Sequence, residues 1–323
     1  MRVKKRTPGG GSLPMNRERK MIERIGKVSM VVICSLLSLA ACATPPPPAE
    51  VQSVAQSGIK FAENVPPVLN GALDAAIASN SDTLIMDHAG TSAQARKTAL
   101  LEANGAFQER AKIFADVGNH AQLLKAYFTA LMALDATGGD SAIGAEAAAL
   151  VEQMGELDQH IANYQIAGRS VASAAGSVTP LVVGALRSAA VERELREHGA
   201  DVVRAIDLQR AFLQTVAADL QSELAAAQQE QEVKNVIEPY VSSSPLPADW
   251  KTLRANALTG GSQNRSVAAL NAAAATAANL KTSFIAMAGG SRSDGLFAQL
   301  ENDVDRLVAL VEALKGGAAP PAS

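Results

Sequence analysis

Few residues in this chain have both the type and the spacing for chemistry. Four histidines, His88, His120, His160 and His198, stand too far apart to form an H-x-x-x-H face, and the two cysteines, Cys34 and Cys42, are remote from them. No metal signature follows, and no cofactor is expected. His120 shares a helical face with Leu124, Tyr127 and Leu131, next to Asp116 and Asn119. A lone histidine so placed is expected to be a buried polar group at a helix start, not a ligand. Ser57-Gly58-Ile59-Lys60 sets a hydroxyl and an amine three positions apart, an S-x-x-K pattern. Ser262-Gln263-Asn264 and Lys281-Thr282-Ser283 follow it in order. The chain has no G-x-S-x-G, no Walker loop and no G-x-G-x-x-G opening a helix. The thiol of Cys42 has the most telling surroundings.

Leu39-Ala40-Ala41-Cys42 ends an uncharged apolar run, Val28 to Leu39, which follows a basic segment with Arg17, Arg19, Lys20, Arg24 and Lys27. A basic region, a short apolar region and a small-residue cleavage site form a secretory signal, and this run is shorter than the roughly 20 residues of a membrane span. The last four residues resemble the lipobox of bacterial lipoproteins, [LVI]-[ASTVI]-[GAS]-Cys. The resemblance implies diacylglycerol on the Cys42 sulfur, cleavage before Cys42 and acylation, typically with palmitate, of the new amino terminus. Residue 43 is alanine, not aspartate. In a Gram-negative host this implies the periplasmic face of the outer membrane, and in a Gram-positive host the outer leaflet of the plasma membrane. Residues 1–41 are thus expected to be a signal peptide, with Met15 or Met21 as alternative starts, and 42–49 a lipidated cysteine with a stalk. Pro45 to Pro48 hold polyproline II at about 3.1 Å per residue, which makes that stalk semi-rigid.

The serine, asparagine and lysine motifs resemble those of penicillin-binding proteins, whose last element lies on a β-strand beside the serine helix. Here Lys281 falls in an alanine-rich helical pattern, and Ser283 stands where that family has glycine. The strand context is missing, so no catalytic residue is assigned.

The whole chain has 29 basic and 32 acidic side chains. Nine of the basic and two of the acidic ones precede Cys42, which leaves a body with a formal net charge of −10. That charge excludes the electrostatic footprint of a nucleic-acid binder, and it opposes adsorption to anionic lipid. With Cys34 removed and Cys42 acylated, no thiol remains for a disulfide. Aromatic residues make up only 3% of a chain rich in alanine, the best helix former.

An all-α fold is expected over residues 50–315: an elongated antiparallel bundle with coiled-coil-like heptad seams, followed by a disordered tail at 316–323. Three seams step by three and four. They run from Ile143 to Tyr164, from Val202 to Ala227, and from Phe297 to Leu314. Asp140 and Ser293 are expected N-caps, and Gly316-Gly317 a stop. Separate helices are expected around Leu100–Phe114 and Leu124–Leu134. Breaks are expected at Asn80–Asp82, Thr137–Gly139, Pro239–Pro247, Thr259–Gln263 and Gly289–Ser291. Val267 to Met287 forms a seam of small residues that lets helix axes approach closely.

These features point to a non-enzymatic lipoprotein that acts as a helical scaffold or adaptor. Its partners would be the membrane, through the lipid, and another envelope protein. The loop from Pro239 to Trp250, with Tyr240 and Trp250, is the expected contact. Val171 to Leu186 carries no charge. It is expected to pack tightly inside the bundle, the alternative being a membrane-active element of a pore-forming-like protein. An enzyme of unrecognised type is the second alternative.

Overall fold

Why this sequence forms long helices is clearest where turn-forming residues are absorbed. Ser81 Oγ donates to the Ile77 carbonyl at 2.7 Å and Thr83 Oγ1 to that of Ser79 at 3.3 Å. Both hydroxyls bond back one turn, so the expected break at Asn80–Asp82 does not occur. Helix α1 runs unbroken over Ala49–Asp87. The computed structural model describes residues 49–316, except 89–90, 167, 177–179, 187, 243–244, 260–263 and 292–293. The expected signal peptide and stalk up to Pro48, with Cys42, the expected tail beyond Gly316 and the expected cap at Ser293 lie outside the described residues.

Helix α2, Ala93–Thr137, begins at Ser92, whose hydroxyl accepts from the Ala95 amide, and ends at Gly138 in the left-handed region at φ 69°. It merges the two helices expected around Leu100–Phe114 and Leu124–Leu134. Helix α3, Ser141–Asn163, is capped by Asp140, which accepts from the Ala142 amide at 2.9 Å. A two-residue antiparallel pair follows, β1 Gln165–Ile166 with β2 Arg169–Ser170, and then a single turn, α4, Val171–Ala174. Helix α5, Ala189–Glu232, passes through a π turn, Val233–Ile237, into α6, Glu238–Ser242. The remaining helices are α7, Trp250–Thr259, α8, Asn264–Ala288, and α9, Asp294–Gly316.

All of these elements belong to one compact unit, residues 46–323. Side-chain pairs fix the directions. Lys125 meets Glu63, and Arg110 meets Asp219 while Gln209 meets Val117, so α2 is antiparallel to both α1 and α5. Helix α8 is antiparallel to α1 and α9, with Ser266 on the Gly71 carbonyl and Asn279 on Asp303. Helix α9 runs parallel to α1, since Glu301 reaches Ser53 and Asp305 reaches Lys60. Sequence neighbours are thus antiparallel, and parallel pairs arise where the order skips an element.

The three seams lie in the core. Ile143, Ala147, Met154 and Ile161, then Val202, Ile206, Leu213, Val216 and Leu220, then Phe297, Leu300, Val304, Leu307 and Val311 are all buried. Helix α8 contributes Ala269, Ala273, Ala274 and Ala277, and this small-residue face fits between α1, α5 and α9. Gly58 leaves room for the ring of Phe128, which meets Phe284 edge-on at 6.0 Å.

Val171–Leu186 departs from the expectation of tight helix packing. After α4 it has no regular secondary structure among its described residues, Pro180 included. It crosses the bundle as a strap. The Gly176 amide donates to Asp207, the Gly184 amide to the Ala288 carbonyl at 2.8 Å, and Leu181 sits against Gly199. A proline and a run of small residues deny the segment a helix, and α5 and α8 supply its backbone partners instead. The expected break at Pro239 also shifts. The preceding π turn carries the helix past the proline, and the chain leaves it only after Ser242.

Candidate functional site

Two polar clusters and one aromatic pair gather the residues singled out in the sequence. The first cluster centres on His120, which is fully buried in the middle of α2 and not at a helix start. Its Nε2 lies 2.9 Å from Asp158 Oδ1 of α3, and its Nδ1 lies 2.7 Å from Gln209 Nε2 of α5. The same amide donates to the Val117 carbonyl at 3.1 Å. Because an amide nitrogen only donates, Nδ1 accepts, and the ring proton is assigned to Nε2, facing Asp158. The second Asp158 oxygen lies 3.9 Å from Arg204 at an open groove of about 640 Å³ between α3 and α5. His198 and Asp201 also line that groove. The imidazole itself has no face on solvent, so the row fixes three helices in register. Asp116, the sequence neighbour, instead accepts from the Tyr164 hydroxyl. Burial and this bond push that phenol up to about 12.

The second cluster is built on Asp207 of α5. Arg210 Nε at 2.8 Å, Lys281 Nζ at 3.2 Å and the Gly176 amide at 2.8 Å converge on its carboxylate. Burial pushes this carboxyl up, but the bonds from Arg210, Lys281 and Gly176 outweigh it and hold the group below the usual range. This arrangement explains Lys281. It stands mid-helix in α8 and reaches α5, and Ser283 beside it is fully buried. Lys60 pairs with Asp305 on the outside, whereas Ser57 is buried. Ser57, Lys60 and Lys281 therefore do not converge.

Deeper in the bundle, the Tyr127 hydroxyl and Glu194 Oε1 are buried with no hydrogen-bond partner among the described residues. Burial raises both groups, and the Glu194 charge adds to the shift of Tyr127. Nothing local in the sequence marks this pair, since it forms between α2 and α5. Among the described residues no three His, Cys, Asp or Glu side chains are grouped to hold a metal ion. No helix there is long and apolar enough to cross a membrane.

The aromatic pair is the exposed Tyr240 and the half-buried Trp250. Ten positions apart in sequence, they stack at 5.4 Å between ring centroids, with 24° between planes. Trp250 Nε1 donates to the Val236 carbonyl at 2.9 Å, and Arg254 lies over its ring. The indole is thus half structural, while Tyr240 remains 63% exposed. The loop expected to carry them is an arm of two short helices, α6 and α7. Gln228 ties the far end of α7 to α5 through the Ala257 carbonyl.

No family model, no curated protein and no solved structure matches this chain.

Proposed function

We propose that this protein is a lipid-anchored helical scaffold of the bacterial cell envelope. Cys42 is its membrane attachment, and the α6–α7 arm is its contact with another envelope component. The observation that carries the reading is Leu39-Ala40-Ala41-Cys42 at the end of an apolar run, followed by four prolines and then directly by α1. Helix α1 has 39 residues and would extend about 58 Å at 1.5 Å per residue, and the arm lies by its C-terminal end, where Lys234 reaches Asp87. A buried core that needs no disulfide suits an exported chain whose described residues contain no cysteine.

Replacing Cys42 with serine in the producing bacterium tests the anchor. The variant should lose labelling by radioactive palmitate and accumulate with its signal peptide attached. Normal maturation with undiminished label would refute the anchor. Several acyl chains give stable membrane residence where a single one is marginal, so the variant should also leave the membrane fraction once its signal is removed artificially.

A further inference from the structure

Of the eleven large apolar side chains exposed among the described residues, ten fall within 77–101 or 233–258, and Val182 is the exception. These two stretches are one place in the fold. Gln231 reaches Asp82 and Lys234 reaches Asp87, while Arg96 returns to the His88 carbonyl. The C-terminal ends of α1 and α5, the start of α2 and the arm thus share one pole. That pole is thinly covered for a structural reason. Helix α3 ends near Asp116, where Tyr164 bonds, and α9 ends near Gly71, where Leu314 packs.

We propose that this pole is where two copies of the chain pair, with Val241 of α6 and Leu258 of α7 in the contact. The inference names the partner of the arm assigned above, and it does not depend on lipidation. Two observations favour a second copy over a lipid surface or an unrelated protein. The first is charge. Helix α7 carries Lys251 and Arg254 and no acid, whereas Asp82, Asp87, Glu102 and Glu238 stand on the neighbouring ends. A surface with both signs can complement itself across a two-fold axis, while its carboxylates oppose an anionic bilayer. The second is area. At roughly 100 Å² for each of the ten exposed side chains, the pole offers on the order of 1,000 Å², against the roughly 800 Å² that a standard interface buries per partner.

The test is cysteine trapping of the full-length chain carrying Val241→Cys, oxidised in unfractionated cell extract and compared with the unsubstituted chain and with Val182→Cys. A product of doubled mass should form with Val241→Cys alone, and adding Leu258→Glu should reduce it at least tenfold. Trp250, the only tryptophan, should keep its fluorescence when the chain is reconstituted with brominated phospholipid. The pairing is overturned if Val241→Cys gives no doubled product or no more than Val182→Cys. It is equally overturned if the product has another mass, which would identify a different protein. Quenching of Trp250 would assign the pole to the bilayer instead. Palmitate labelling of Cys42 reads the anchor separately, so failure of one reading is distinguishable from failure of the other.

Discussion

The backbone amide of Gly176 donates to the carboxylate of Asp207 across 2.8 Å, and this bond fastens the strap to α5. Asp207 also holds Lys281 of α8, so one buried carboxylate joins three parts of the fold that lie far apart in sequence.

Because its partners hold the Asp207 pKa below the unfolded value, the ionised carboxylate stabilises the fold at neutral pH. That contribution is complete above the unfolded value of about 3.9 and is lost as pH falls through the folded one. Asp207→Ala leaves Lys281 without its buried partner and should cost about 3–5 kcal/mol at pH 7. The loss should shrink on acidification below about pH 4. Urea melts of both proteins at pH 7 and pH 3.5 check this, and an equal difference at the two values would contradict it.

Gly58 and Gly105 make opposite predictions from the same substitution. A Cβ built on Gly58 would lie 2.4 Å from the ring of Phe128, while one on Gly105 meets nothing within 4 Å. Phe128 is locked against Tyr127 and Phe284, so it cannot yield without moving them. Gly58→Ala should destabilise by about 1–3 kcal/mol through overpacking. Gly105→Ala, in an exposed helical stretch, should stabilise by about 0.5–1 kcal/mol. Thermal melts of the pair settle the sign of each, and a shift in the same direction for both would count against the packing seen at Phe128.

The seams through Met154, Leu213 and Leu307 were legible because helical periodicity is local: residues three and four apart must share a face whatever that face meets. His120 and Gln209 were legible as buried positions for the same reason. Their meeting with Asp158 was not, since it depends on the register between α2, α3 and α5. The two expected helices fuse into α2 because no proline separates Phe114 from Leu124 and Gly118 sits helically against Pro66. The strap was not legible because Ala, Gly and Ser without charge suit close helix packing and a crossing over the bundle surface equally well. Pro180 was the residue that pointed to the crossing. Tyr240 and Trp250 were singled out as a loop contact, but their stacking requires the chain to reverse between α6 and α7, which three prolines obscure.

The last helix provides the sharpest comparison of face against face. Leu307 of α9 is fully buried, while Asp305, two residues earlier, lies outside and pairs with Lys60 at 3.3 Å. Leu307→Asp places a carboxylate among apolar neighbours with no partner, a cost of several kcal/mol against a total stability of roughly 5–15 kcal/mol. The variant should melt far lower or fail to fold. Asp305→Ala removes an exposed ion pair whose contribution is about 0–1 kcal/mol, so its melting point should stay close to that of the parent. Differential scanning calorimetry of the two variants decides between the faces. Comparable melting for both would mean that α9 detaches from α1 and α8 at little cost, and its apolar seam would then be a surface presented to a partner and not part of the core.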